Sequence, residues 1–346
     1  MDVSLDDLDW CIDQIMPANP GYLMALPTKN DPMLSYLTTS FSDHLRIREK
    51  FGYKINDAMW AFFKQMEIID ENNKPSNHFG DPVWMYYQYL KLKGDKRAMD
   101  EIYSEGLACI ERVRERGVPI AKGFGNNYWE MNPDLEQEIR LLFADAKKCL
   151  WEETPIHFEK LLSHGIAITT LSADRKDYIY HPQSGEKLSR DGIYALEILR
   201  SKWKNEIPDI QVIVSDGLSV SSLTDQGHLS PYIAELEAQL QNKFTLSKNT
   251  IFIENGRVRA GYRCGENLFS EASSTKKKCV LHLIGERPGT MHHNYSVYIT
   301  VAQGSDWFVE GKIDHDVTRV ISGISDTALN PKEAAKETLR ILTELF

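Results

Sequence analysis

The apolar positions of this chain fall into two textures. Up to about residue 160 they recur at helical spacing and include many aromatics; from about residue 205 they gather into short β-branched runs separated by helical stretches. In the first region, Leu5 to Ile15 reads as a helix, with Ser4 as its cap, Asp7 three residues on and Pro17 as its stop. Gly21 to Pro27 is a short apolar run between turn residues, and its length favours a buried strand. Asn30 to Met33 reads as a loop, and Met33 to Phe51 as a helix stopped by Gly52. Amphipathic helices are then predicted at Ala58–Met66, Met85–Leu92, Met99–Arg116 (ended by Gly117) and Pro133–Glu152.

The second region holds four candidate strands: Ile210–Ser215, Thr250–Glu254, Cys279–Ile284 and Ser296–Val301. The first three are nearly continuous apolar runs. A helix from Pro231 to Asn242, with Ile233, Leu236 and Leu240 on one face, lies between the first two, and Lys332–Phe346 closes the chain as a helix. Strand, helix, strand with strands apolar throughout implies a parallel sheet covered on both faces. The expected fold is therefore α/β, with a mainly parallel, doubly wound, Rossmann-like C-terminal sheet after a mostly helical N-terminal region. The boundaries read as 1–160, a connector at 161–204 with little chemistry, and 205–346.

Composition narrows the function classes. The chain has 346 residues, 42% hydrophobic and 26% charged, which argues against wholesale disorder and suggests two domains or three. Forty Lys and Arg against fifty Asp and Glu leave a net charge of −10, a poor balance for holding nucleic acid. No apolar run of about 18 residues is present, so no membrane span is expected. The acidic start, Met1 to Asp7, lacks the positive charge of a signal peptide. The five cysteines, Cys11, Cys109, Cys149, Cys264 and Cys279, form no CxxC pair; reduced thiols in the cytoplasm are expected.

In a parallel sheet, ligands bind beyond the carboxyl ends of the strands. Two strands here run into unusual loops. Asp216-Gly217-Leu218-Ser219 places a carboxylate, a glycine and a hydroxyl directly after a strand; from composition alone a plain loop with Ser219 as a helix cap is the favoured reading. Gly285-Glu286-Arg287-Pro288-Gly289 is a stiff polar platform, and an internal Glu–Arg pair fixing a turn explains it about as well. Gly256 to Gly261 lacks the spacing of a phosphate loop, so a turn at Asn255-Gly256 is the better reading. His292-His293 and Asp314-His315-Asp316 invite a metal, but adjacent histidines on a strand point to opposite faces, and hydrogen-bonding roles are favoured. Trp60, Phe62, Phe63, Trp84, Tyr86, Tyr87 and Tyr89 read as core.

Taken together, Asp209 to Ser219, Gly256-Arg257-Val258, Leu283 to Gly289 and Ile321 to Ile324 resemble the small subunit of ethanolamine ammonia-lyase, in order and spacing, over residues 170–346. Tyr22 to Pro27, Asp31 to Ser40 and His44 to Gly52 resemble the carboxyl end of that enzyme's large subunit, its last TIM-barrel strand and the helices after it. Residues 53–170 resemble the extension found where the two subunits are fused in one polypeptide. The resemblance implies a reaction that splits ethanolamine into acetaldehyde and ammonia with adenosylcobalamin. It further implies cobalamin contacts at Val258 and Glu286 from the small-subunit side, and at Met33 from the large-subunit side. Val320 stands where the family has a contacting Cys. Asp216 and Arg287 are assigned to the same site as organisers from loop position. No catalytic residue and no metal ligand is expected in this chain.

A TIM barrel needs eight strands and about 250 residues, and one strand at most, Gly21–Leu26, is expected here. The expected partner is a large, barrel-bearing subunit, with ethanolamine as substrate and a cytoplasmic or microcompartment location. That strand, without neighbours in this chain, should be sticky. The alternative is a corrinoid-binding or assembly module without turnover of its own. A nucleotide-binding domain of another enzyme class ranks last, because no glycine fingerprint supports it.

Overall fold

A computed structural model describes residues 6–26, 38–115, 133–155, 158–162, 164–203, 206–240, 243–272, 275–288, 293–326 and 328–346. They form two compact units, one within 1–146 and one taking 147–288 and 292–346.

In the first unit, α1 (Leu8–Ile15) buries Leu8 and Ile12 with Met16 against Ile47. The strand expected at Gly21–Leu26 is reduced to β1 (Ala25–Leu26), and it does have a neighbour: β2 (Thr39–Ser40) pairs with it in parallel. Of the helix read from Met33 to Phe51, residues 33–37 lie outside the described residues; α2 (Phe41–Phe51) begins after the extended Thr39 and Ser40. The reason is local. Ser40 accepts from the Asp43 N–H while the Asp43 carboxylate accepts from the Ser40 N–H, a reciprocal cap that starts the helix there and leaves Thr39 and Ser40 extended. Arg46 and Lys50 on α2 then pair with Asp9 and Asp13 on α1, at 2.7 and 2.6 Å. After α3 (Asp57–Gln65), α4 (Pro82–Leu92) packs on α5 (Met99–Glu115), where Gly106 leaves room for Val83. The aromatic cluster is core only in part. Trp84 is buried, stacks on His78 at 3.4 Å and donates to the Met66 carbonyl, whereas Phe62 and Tyr89 are exposed. The helix α6 (Pro133–Trp151) follows.

The second unit is built on β3 (Ile166–Thr169), α7 (Arg175–Tyr180), α8 (Arg190–Trp203), β4 (Ile210–Ser215), α9 (Ser221–Thr224), α10 (Leu229–Leu240), β5 (Ile251–Glu254), α11 (Val258–Phe269), β6 (Lys277–Gly285), β7 (Tyr295–Gln303), α12 (Gly304–Trp307), β8 (Thr318–Ile324) and α13 (Pro331–Leu345). Its sheet has six strands in the order β3-β5-β4-β6-β7-β8. The first four are mutually parallel; β7 and β8 run antiparallel to their neighbours. The sheet is thus mixed. The link from Gly285 to Tyr295 is shorter than the roughly twelve residues a parallel crossover needs, so β7 must return as a hairpin partner. The stretch read as a connector supplies β3, α7 and α8 to this unit.

Each face of the sheet has its own core. On one, Val212, Val214, Phe252, Leu281, Val297 and Ile299 pack with α10 and α13. On the other, Ile213, Ile251, Ile253 and Val280 pack with α8 and α11. All six residues of β4 are buried, as its continuous apolar sequence requires of a central strand. Among the described residues, no helix is long and apolar enough to cross a membrane.

Candidate functional site

The loops that leave β4 and β6 meet. The Leu218 N–H donates to the Gly285 carbonyl at 2.9 Å. Gly217 has φ +56, and a Cβ there would lie 2.0 Å from that same oxygen. A Cβ on Gly285 would in turn lie 2.1 Å from the Ser219 carbonyl, so both glycines are required by close backbone approach.

Asp216 turns inward from this contact. Its carboxylate accepts from the Thr154 hydroxyl at 2.8 Å, the Asn255 N–H at 3.1 Å and the Gly256 N–H at 3.3 Å. Arg175 lies 3.7 Å away, with both side chains buried. The Arg175 guanidinium also donates to the Leu150 and Gly217 carbonyls and sits over the Tyr178 ring. Burial pushes the Asp216 carboxyl up, against the pull of Arg175 and the three donors. Asp216 is therefore a clasp that ties the β4 and β5 loops to the segment after α6. Beyond the ends of β3 and β5 lies a pocket of about 260 Å³ lined by Glu153, Thr154, Thr169, Ser172, Arg175 and Glu254. Burial, with the charges of Asp216, Glu153 and Glu159, raises the Glu254 carboxyl.

Toward β8 the face under α11 changes from apolar to polar. The register sets His282 on β6 opposite Tyr298 on β7, and Tyr298 opposite Val320 on β8, so the three share a face. Glu286, just past β6, continues this row: its carboxylate accepts from the Tyr298 hydroxyl at 3.4 Å. Burial raises the Glu286 carboxyl, while the Ser296 and Tyr298 hydroxyls and Arg287 oppose the shift. Thr300, Thr318, Tyr262 and His315 form a hydrogen-bonded chain alongside, at 3.0 to 3.1 Å per link. Val320 is 47% exposed, an apolar side chain on an open edge strand.

His282 anchors the row from below. It is fully enclosed and bonded through Nε2 to the Ser215 hydroxyl, and burial lowers its pKa to about 4, so the ring is neutral. α11 approaches so closely that a Cβ on Gly261 would lie 2.4 Å from His282 Nδ1. Gly261→Ala should accordingly cost about 1–3 kcal/mol through overpacking, read as a lower urea midpoint at unchanged slope. An unchanged midpoint would refute the contact.

The structure therefore brings together Glu286 and Val320, with Val258 at the first turn of α11, the helix whose Gly261 packs on His282. Asp216 is adjacent through its backbone but encloses its own carboxylate. Arg287 follows Glu286 on the loop and is half-buried; Met33 lies outside the described residues. Asp314-His315-Asp316 is a hydrogen-bonding turn: Asp314 caps it and pairs with Arg259, and His315 meets Tyr262. Asn255, at φ 52, turns β5 into α11. The residues missed from sequence are Arg175, Tyr298 and His282. Arg175 sat in the presumed connector, and the other two sat inside strands read only for hydrophobicity.

Residues 109–346 match the family model described as Ethanolamine ammonia-lyase light chain (EutC). The chain belongs to the ethanolamine ammonia-lyase light-chain family. Residues 1–78 match a second model, Ethanolamine ammonia lyase large subunit (EutB). The ethanolamine ammonia-lyase small subunit of Clostridium acetobutylicum is 27% identical over 208 residues, covering 59% of this chain and 77% of that one. The small subunit of Pseudomonas fluorescens strain Pf0-1 is 32% identical over 131 residues, 38% of this chain and 42% of that one. That of Pseudomonas aeruginosa strain PAO1 is 33% identical over 132 residues, with the same shares of 38% and 42%. The chain thus spans less than half the length of these Pseudomonas light-chain relatives.

Proposed function

We propose that this chain works as part of an adenosylcobalamin-dependent ethanolamine ammonia-lyase, forming one wall of the cobalamin site and relying on a large, barrel-bearing subunit for the catalytic residues. The observation that carries this reading is the row Glu286–Tyr298–Val320 on one face of the sheet, beside the α11 turn that begins at Val258. Its donor set suits a corrin. Amide groups on a corrin's rim donate, a half-buried carboxylate accepts, and Val258 and Val320 offer apolar contact. The residues concerned fall in 205–346, in a sheet read as doubly wound; Met33, assigned by resemblance, lies outside the described residues. Arg287 stands beside Glu286 as an organiser of the same loop.

When bound, adenosylcobalamin supplies radical chemistry through its cobalt–carbon bond. This chain's own residues bind and orient. Glu286 accepts from the ligand while Tyr298 holds its carboxylate. Asp216 and Arg175 keep the β4 and β5 loops in place behind it. None of these groups is assigned a proton transfer in the conversion of ethanolamine to acetaldehyde and ammonia.

Titration of cobalamin with the full chain and a large-subunit partner, followed by visible absorption, tests the reading. Glu286→Gln should weaken binding about tenfold, as expected for loss of a charge-assisted hydrogen bond. Acetaldehyde should form on adding ethanolamine. Affinity unchanged by Glu286→Gln would remove Glu286 from the site, and no acetaldehyde beyond that from the partner alone would overturn the enzyme assignment.

A further inference from the structure

Three side chains of the second unit stand in a relay apart from the Glu286 row. Cys149 Sγ is 3.2 Å from His293 Nε2, and Nδ1 of the same ring is 2.6 Å from Asp225 Oδ2. A carboxylate accepts only from N–H, so Asp225 fixes the neutral imidazole in the tautomer whose Nε2 lone pair faces the thiol. The thiol has a base in contact, and the base has an orienting group. Cys149 is 3% exposed, and the side chains of His293 and Asp225 are 18% and 43% exposed, so the relay opens to solvent at its carboxylate end.

We propose that Cys149 is a nucleophilic thiol, activated by His293 and oriented through Asp225, that takes small uncharged carbon electrophiles. In the step, a sulfur lone pair forms the new C–S bond, the leaving group departs with the bonding pair of carbon, and the thiol proton passes to His293 Nε2. Burial selects for size, and the carboxylates of Asp225 and of Asp145, one turn before Cys149 on α6, disfavour anionic reagents. The other cysteines lack this arrangement. Cys264 and Cys279 are enclosed in the core, and burial pushes their thiols up. Cys11 and Cys109 are half-buried, and the polar neighbour of Cys109 is Arg112, a cation and no base. The proposal is independent of the cobalamin reading.

Iodoacetamide labelling of the full-length chain, resolved by peptide mass spectrometry, tests it. At pH 6.5, Cys149 should be alkylated clearly faster than Cys264 and Cys279. At pH 6.5, chosen to favour the imidazole-linked form, His293→Gln should slow its labelling about tenfold or more, and Asp225→Asn should slow it in the same direction. Cys11 and Cys109 should be unaffected. If His293→Gln does not fold, as judged by thermal unfolding, Asp225→Asn and the wild-type rate relative to Cys264 and Cys279 decide. A Cys149 rate that ignores both substitutions, or that is no faster than those of Cys264 and Cys279, overturns the proposal.

Discussion

Asp216→Ala should destabilise the second unit by about 3–5 kcal/mol, measured by urea unfolding. The carboxylate is enclosed with Arg175 at 3.7 Å and accepts from Asn255, Gly256 and Thr154. Its removal leaves a guanidinium buried without its counter-charge and two backbone N–H groups without their acceptor, and each effect is large for groups this deeply buried. Arg175→Met should cost a similar amount for the mirror-image reason. The double variant Arg175→Met, Asp216→Ala should lose clearly less than the two single losses added, because once the pair is gone there is no orphaned charge to bury. Strict additivity would mean that the two side chains are not coupled, and a loss below about 1 kcal/mol for Asp216→Ala would refute the clasp.

The second large effect is a dependence on acid. His282 has a pKa lowered to about 4 by burial, against an ordinary 6.5. Between those values the unfolded chain binds a proton at this ring and the folded chain does not, so acid favours unfolding. The stability tied to the neutral ring is fully present above pH 6.5, declines as the pH falls toward 4, and levels off below it. At 1.36 kcal/mol per pH unit the loss is about 3 kcal/mol. His282→Gln keeps a group able to bond Ser215 but cannot titrate. The fall in unfolding free energy from pH 7 to pH 4 should be about 3 kcal/mol smaller in this variant than in the wild type. Glu254 and Glu286, whose pKa values burial raises, act in the opposite sense, favouring the fold at low pH. The comparison of variant with wild type cancels them. Parallel curves would show that the ring titrates normally.

The strands legible from sequence were those buried on both faces. Ile210–Ser215 is observed as predicted, and Thr250–Glu254, Cys279–Ile284 and Ser296–Val301 are shifted only at their ends. In the six-stranded sheet the strands not foreseen, β3 and β8, are its two edges. On β3 the residues alternate, with Ala167 and Thr169 exposed, whereas β8 exposes the adjacent Arg319 and Val320 as well as Ser322, and its pairing with β7 is irregular. Such segments look like loops when only apolar runs are sought. The antiparallel return of β7 was equally hidden, because nothing in its composition distinguishes the two directions. The parallel expectation failed where the connection was too short.

The site shows the same division. Glu286, Val258 and Val320 were picked out by resemblance, and Asp216 by its place after a strand. That Glu286 and Val320 stand in one row depends on the β6–β7–β8 register, which pairs His282 with Tyr298 and Tyr298 with Val320. That Asp216 faces inward depends on Arg175, Thr154 and Asn255, residues 41, 62 and 39 positions away in sequence. The sequence alone determined which segments are apolar on both sides, where helices begin and end, and which family the motifs resemble, because those properties are local or are carried by residue identity. Which carboxylate is enclosed, which histidine is neutral and which thiol meets a base were decided only in the tertiary structure. Burial and contact between distant residues set the local dielectric and the available partners, and no stretch of chain encodes these by itself.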